Sequence, residues 1–324
     1  MSYFAARTRA AALRLMGRAA PESAWIQCQL GLAYGAAEQE PTAVRHFREA
    51  LRLERSYVPA LVGLGHSLVR QGRCGEAIPF YSRAMQAEPS DVEIPFSLAN
   101  AWYETGQVER ALILYEVVLS LKPNHARAHF NLGHAYKTSG DFEQAVQAFA
   151  RALDADQHFY KARFMRAHVL ALMGRNQEAI QEYQQTLRYC PTYVKAHYNL
   201  GNCHLKEGNL PAAIRRYKAV LKLDKTYDKA HFALGQAQLK EGNLMAARSA
   251  FVDALRLRPD FYACRLQLAR LLEEQGKPQD AALHYRVFLR DAPDSPEHAE
   301  VNRRLSALAP SHRQGSSTVL APVG

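Results

Sequence analysis

Small and apolar positions recur along this chain at a fixed interval. Stepping by 34 residues in both directions from Gly201 reaches Gly31, Gly65, Ala99, Gly133, Ala167, Gly235 and Ala269, all small. Twelve positions further on, the same step reaches Ala43, Ala77, Ala111, Ala145, Ala179, Ala213, Ala247 and Ala281. Four beyond lies an aromatic column: Phe47, Tyr81, Tyr115, Phe149, Tyr183, Tyr217, Phe251 and Tyr285. A leucine column precedes the small one at Leu30, Leu64, Leu98, Leu132, Leu200, Leu234 and Leu268, broken by Arg166. Self-similarity at a period of this length predicts a repeat architecture in which each unit is one supersecondary element.

The columns predict two antiparallel helices per unit. A small residue on the first helix and an alanine on the second let the pair approach closely, and the aromatic ring fills the space towards the next unit. Between the helices seven of eight units carry a glycine: Gly72, Gly106, Gly140, Gly174, Gly208, Gly242 and Gly276. Glycine suits the left-handed residue that ends a helix. Prolines close the second helix at Pro89, Pro123, Pro191, Pro259 and Pro293, since proline cannot continue one. No single unit buries its own apolar face, so stacking on neighbours must stabilise the array.

This pattern resembles the tetratricopeptide repeat, over residues 24–295 without a gap. The resemblance implies an all-α fold, a right-handed superhelical solenoid of antiparallel helix pairs, with a concave groove that binds peptides. Pro21 falls in phase with the closing prolines, so residues 1–23 are expected as a basic helix, a partial repeat or cap. Arg-rich and free of acid over residues 2–20, that helix is also similar to a targeting presequence or a membrane-surface helix. Residues 296–309 are expected as a charged capping helix at a natural chain end, and 310–324 as a disordered tail.

Composition narrows the function. No run approaches the roughly 18 apolar residues of a membrane span, and the first 20 residues, with arginines spread through Ala and Leu, are not expected to act as a secretory signal. The five cysteines are scattered, with no CxxC pair and no disulfide framework, which suggests a reducing, cytoplasmic setting. A formal charge of +10 favours acidic partners. Phosphate-binding glycine loops, HExxH and GxSxG are all missing, so no enzyme, cofactor or metal is expected. His129, His197 and His231 fall at the fourth position of their repeats and are expected in the core. His66, His134 and His168 fall at the ninth; even the nearest two, His134 and His168, are one repeat apart, too far to share a metal ion easily.

In the family the second, fifth, ninth, twelfth and thirteenth positions of the first helix face the groove. Spacings of three and four put the second, fifth and ninth on one helical face. The second column gives Arg127, Lys161, Lys195 and Lys229; the fifth gives Phe96, Phe130, Phe164, Tyr198 and Phe232; the ninth gives Asn100, His134, His168 and Asn202. These thirteen residues are the expected groove: an aromatic stripe with basic flanks and amide or imidazole donors. They predict a peptide partner with acidic and apolar residues. No lysine stands in the fifth column, which argues against the family's two-carboxylate clamp, and only Asn131 and Asn199 match the sixth-position asparagine ladder of sugar-transferase repeats.

Two departures need a structural answer. Arg163 and Arg166 replace an aromatic and a leucine, and are expected to snorkel to solvent, to loosen the stack, or to meet a partner's acid. Pro95 lies inside a first helix and costs a backbone hydrogen bond unless that helix starts late. The expected function is a non-enzymatic scaffold or adaptor that binds a partner protein in its groove. The alternatives are a nucleic-acid-binding helical repeat, or a regulatory module of a larger transferase or secretion or envelope assembly. Contact of the N-terminal helix with a membrane and self-association both stay open.

Overall fold

A computed structural model describes residues 23–308. The expected basic helix at 1–23 lies outside the described residues except for Ser23, as does the expected tail at 310–324. The described residues form 17 helices and no strand. In pairs they are α1 (Ala24–Ala36) and α2 (Glu40–Leu53), α3 (Val58–Arg70) and α4 (Cys74–Ala87), α5 (Glu93–Glu104) and α6 (Val108–Leu121), α7 (Ala126–Ser139) and α8 (Phe142–Ala155), α9 (Tyr160–Leu172) and α10 (Asn176–Tyr189), α11 (Val194–Lys206) and α12 (Leu210–Leu223), α13 (Asp228–Lys240) and α14 (Leu244–Leu257), and α15 (Tyr262–Glu274) and α16 (Pro278–Asp291). A last helix, α17 (His298–Leu308), packs on α16. The helices fall into two compact units, one ending at Tyr189 and holding α1 to α10, the other starting at Cys190 and holding α11 to α17.

Within each unit the columns do what close packing demands. All eight column alanines are fully buried, and all eight aromatic rings are at most 1% exposed. A Cβ on Gly133 would sit 2.7 Å from the Phe149 ring, and one on Gly201 2.6 Å from Tyr217. The ring of the second helix therefore lies against bare backbone of the first. Each such ring contributes about 1.5–3 kcal/mol of burial.

The turn glycines take left-handed φ values, +86° at Gly140 for example. The first repeat has Glu38 in that place, at φ 57°. A side chain there costs about 1–2 kcal/mol relative to glycine, so this repeat carries a strained turn.

Pro95 is accommodated by a late start. The other first helices begin at the first position of their repeat, whereas α5 begins at the second, Glu93. Pro95 then sits in the first turn, where a backbone N–H has no intrahelical acceptor in any case. Asp91 supplies the missing acceptor for the helix start, taking the Glu93 and Ile94 amides at 2.7 and 3.3 Å.

Arg163 and Arg166 neither snorkel nor loosen the stack. Both turn towards Glu182 on α10, at 3.4 and 3.3 Å. The three side chains are between 17% and 31% exposed. The acid comes from the same repeat, a pairing invisible to a column-by-column reading because Glu182 lies outside the conserved-type columns.

The fourth-position histidines are clasps. His129 and His197 are 7% and 9% exposed. Their Nε2 atoms bond the carbonyls of Pro123 and Pro191, six residues back in the preceding loop, at 2.8 and 2.9 Å. His231 repeats the bond to Lys225 at 3.1 Å, though its ring is more exposed. Arg265 makes the same bond to Pro259. Arg83, from a different position, holds the equivalent carbonyl of Arg55.

Candidate functional site

The faces of the first helices form the candidate site, and each unit has its own portion. In the first unit α5 and α7 bound a cavity of about 570 Å³ with Val69, Cys74, Asn100, Tyr103, Glu104, Tyr115, Phe130, Asn131 and His134 on its walls. An adjoining hollow of about 480 Å³ is lined by Arg127, Phe130, Asn131, Asp156, Phe159 and Lys161. Phe130 and Asn131 belong to both, so they form the ridge between them. Five of the expected groove residues, Asn100, Arg127, Phe130, His134 and Lys161, are thus gathered at two neighbouring hollows.

The polar floor is held in one orientation. Asn100 Oδ1 accepts from the Tyr115 hydroxyl and from Asn131 Nδ2, both at 2.7 Å. With its oxygen accepting twice, Asn100 has its amide N–H groups left as donors at the cavity wall. Asn202 repeats the device in the second unit, its Oδ1 accepting from Tyr217 at 2.8 Å. The reading of columns in isolation overlooked these tyrosines, whose rings pack while their hydroxyls aim the amides. The cue was present in the sequence: Tyr115 and Asn100, and Tyr217 and Asn202, are both fifteen residues apart.

The imidazoles in the same row are neutral donors or acceptors. Burial pushes His134 down to about 4, with Lys137 adding to the effect. Burial, then Lys137, also lowers His168. His134 lies edge-on to Phe130, its ring centre 4.6 Å away.

The aromatic stripe is discontinuous. Phe96 is 3% and Phe164 8% exposed. Phe96 is covered by His125 at 5.0 Å and by the guanidinium of Arg127 at 5.4 Å. Phe164 packs on Tyr183. Phe130, Tyr198 and Phe232 are half-buried, each wedged between the second-helix ring of its own repeat and a loop ring: Phe159 at 4.8 Å, Tyr227 at 5.3 Å and Phe261 at 4.7 Å. The reason is geometric. A large ring at the fifth position reaches the loop leading to the next repeat, and that loop carries an aromatic or histidine. The ring edges of Phe130, Tyr198 and Phe232 stay accessible, while Phe96 and Phe164 work mainly inside the fold.

The basic flanks are all exposed. Arg127 and Lys161 stand beside Phe130 in the first unit, and Lys195 and Lys229 hold the same second position in the other. Among the described residues, no group of three His, Cys, Asp or Glu gathers as a metal site would require, and no helix is long and apolar enough to cross a membrane.

Helix pairs of this period, with glycine turns and a ring closing each pair, define a helical-repeat solenoid, and comparison with known proteins identifies the class. Family models described as tetratricopeptide repeat match residues 28–92 and 232–296, 68–129, and 126–159. Another, described as TPR repeat, matches 167–208 and 201–242. The chain belongs to the tetratricopeptide-repeat family.

No curated protein matches the chain. Among solved structures, YrrB, described as a TPR protein with an unusual peptide-binding site, is 23% identical with a TM-score of 0.51, over 57% of this chain and 95% of that one. MamA is 21% identical with a TM-score of 0.50, over 52% of this chain and 92% of that one. The APC/C hetero-tetramer Cut9-Hcn1 gives 15% identity and a TM-score of 0.54, over 87% of this chain and 55% of that one. At these identities the likeness is one of fold.

Proposed function

We propose that the chain is a non-enzymatic scaffold that holds an extended segment of a partner protein along its first helices. The observation that carries this reading is the amide floor at Asn100 and Asn131, locked by Tyr115 beside the open edge of Phe130. Fixed amide donors satisfy the carbonyls of an extended main chain, and a half-buried ring beside them takes an apolar side chain. Exposed Arg127 and Lys161, with Lys195 and Lys229 in the second unit, favour acidic residues next to the apolar ones and raise the encounter rate. His134 and His168 add neutral hydrogen bonding, and Asn202, Tyr198 and Phe232 continue the pattern in the second unit. The peptide-binding site described for YrrB agrees with this kind of use. Five free cysteines, three of them buried, suit a reducing interior such as the cytoplasm.

Selection from a peptide library on the wild-type chain tests the proposal, with a variant carrying Asn100→Ala, Arg127→Glu and Lys161→Glu as the counter-screen. Enrichment of peptides with acidic and apolar residues on the wild type, lost on the variant, supports it. Peptides that bind both proteins equally refute the site. Enrichment of no peptide, with oligonucleotide binding that falls steeply with salt, turns the function to nucleic acid.

A further inference from the structure

Charge is unevenly shared between the two units. Residues 23–189 carry 17 basic and 17 acidic side chains, whereas 190–308 carry 19 basic and 13 acidic. The excess gathers around α12, whose sequence LPAAIRRYKAVLKL holds four cations. It is the one second helix of the eight with no carboxylate. On some other second helices an exposed arginine finds an acid one turn away, as Arg52 does with Glu49 and Arg256 with Asp253, while Arg48, Arg110, Arg188 and Arg286 are exposed without an ion pair among the described residues, each on a helix that carries a carboxylate of its own. Arg215, Lys218 and Lys222 are all exposed and lie at spacings of three and four, so they line one face over about 10 Å. Among the described residues none of them has an ion-pair partner.

A fourth cation makes the patch an unrelieved one. Arg216 is half-buried beside Arg215 and likewise has no carboxylate partner. Burial, then Arg215, weakens its hold on the proton. His204 on the neighbouring α11 is lowered by burial and then by Arg216 and Arg215. Several positive groups are thus pressed together at one end of this unit, and an anion laid on them would remove the repulsion.

The second helix on the far side of α13 has a more mixed face, with Arg248, Asp253 and Arg256 on it and Arg256 paired to Asp253. Both α12 and α14 pack on α13. The exposed face of α14 carries Met245 at 69% and Val252 at 48% exposure, seven residues apart. That is the same two-turn spacing as Arg215 and Lys222. α12 and α14 are the second helices of successive repeats, each packed on α13, and these exposed positions lie on second helices and not on the groove-lining first helices.

We propose that these faces of α12 and α14 form a second docking surface, which takes an amphipathic acidic segment of a partner protein. Its carboxylates lie on Arg215, Lys218 and Lys222, and its apolar side chains on Met245 and Val252. Charge complementarity together with the apolar positions of α14 selects a protein segment. A nucleic-acid backbone would make no use of Met245 and Val252, and would be expected to engage more cations than three. The surface stands independently of the groove, since no residue is shared.

The test uses the full chain and a fluorescent synthetic helix with glutamates two turns apart on one face and leucines beside them. Anisotropy titrations compare wild type with Arg215→Glu/Lys218→Glu/Lys222→Glu, with Met245→Ser/Val252→Ser, and with the groove variant Arg127→Glu/Lys161→Glu. All seven positions are exposed, so the fold is retained. The proposal expects about tenfold or greater loss in the charge variant, a several-fold loss in the Met245/Val252 variant, and wild-type affinity in the groove variant. It is overturned by a wild type that does not bind the helix, by a loss confined to the groove variant, or by indifference to Met245 and Val252. A fourth refuting outcome is a single-stranded oligonucleotide or a phosphatidylserine vesicle that occupies the strip in preference to the helix.

Discussion

Removal of the Glu182 carboxylate is the sharpest probe of how this array tolerates charge between its helices. Arg163 and Arg166 approach Glu182 at 3.4 and 3.3 Å, with all three side chains largely shielded. At an effective dielectric near 20, each pair has about 5 kcal/mol of gross attraction. Desolvation of the three ions opposes most of it. Once Glu182 is truncated the attraction is lost while much of the arginine desolvation remains, so Glu182→Ala should destabilise by roughly 1–3 kcal/mol. The lower half of the range applies if the guanidinium groups swing out to water. Glu182→Gln keeps one acceptor and should fall between. Chemical denaturation gives the overall loss. Hydrogen exchange shows whether α9 and α10 open first, which matters because repeat arrays need not unfold in one step. Replacement of both arginines by leucine in the Glu182→Leu background should restore stability, since a buried charge cluster is often matched by apolar packing. A Glu182→Ala protein within about 0.5 kcal/mol of wild type, the ordinary range for surface substitutions, would refute the triad as a structural element.

Other perturbations have equally definite outcomes. Glu38→Gly relieves the left-handed turn of the first repeat and should raise stability by about 1 kcal/mol in a denaturant titration, whereas Gly140→Ala, at φ 86°, should lower it by about as much. His197→Ala deletes the clasp on the Pro191 carbonyl and should cost on the order of 1–3 kcal/mol, with increased amide exchange in the 190–194 loop. Tyr115→Phe removes one of the two donors that hold Asn100, leaving Asn131, and should weaken groove peptides several-fold at a stability cost of about 1 kcal/mol, read by paired binding and melting measurements. Because His129, His134, His168 and His197 all have lowered folded-state values, the unfolded chain takes up protons first as pH falls. Stability should therefore hold above pH 6.5, the ordinary histidine value, and decline down to about 4, where His134 titrates; a melting temperature that is level or rises from pH 7 to 5 contradicts this.

The repeat was readable from sequence because each column answers a single steric demand. Ala111 must be small, Tyr115 must be large, and Gly106 must take a left-handed turn; period and residue type alone suffice for these. What escaped the columns were relations between them. Arg166 looked like a defect until Glu182 was placed opposite it. Phe96 looked like groove surface, yet His125 in the following loop closes over it. Asn100 was found as a candidate, but its orientation depends on Tyr115 and Asn131, one on the paired helix and one in the next repeat. Side-chain partners drawn from different columns depend on rotamer and helix tilt, and a one-dimensional period carries neither. The His134 environment likewise follows from burial between rings, which residue identity alone does not supply.

The loop clasps have a mechanical consequence. The carbonyl that joins one repeat to the next is held at Arg55, Pro123, Pro191, Lys225 and Pro259. The equivalent positions Pro89 and Gln157 have no such side-chain tie among the described residues, because Pro95 has no donor to offer and Arg163 is turned to Glu182. In the first unit, stiff joints thus alternate with compliant ones: before α3 and α7 the links are riveted, before α5 and α9 they are free to flex. Pulled or bent, the first unit yields at its unriveted joints and keeps the segments between them rigid. The cavity at Asn100 and Phe130 crosses both kinds of joint: the α5–α7 side is riveted at Pro123 and keeps its spacing, whereas the wall at Val69 and Cys74 lies beyond the compliant joint before α5, so the cavity adjusts its width from that side alone.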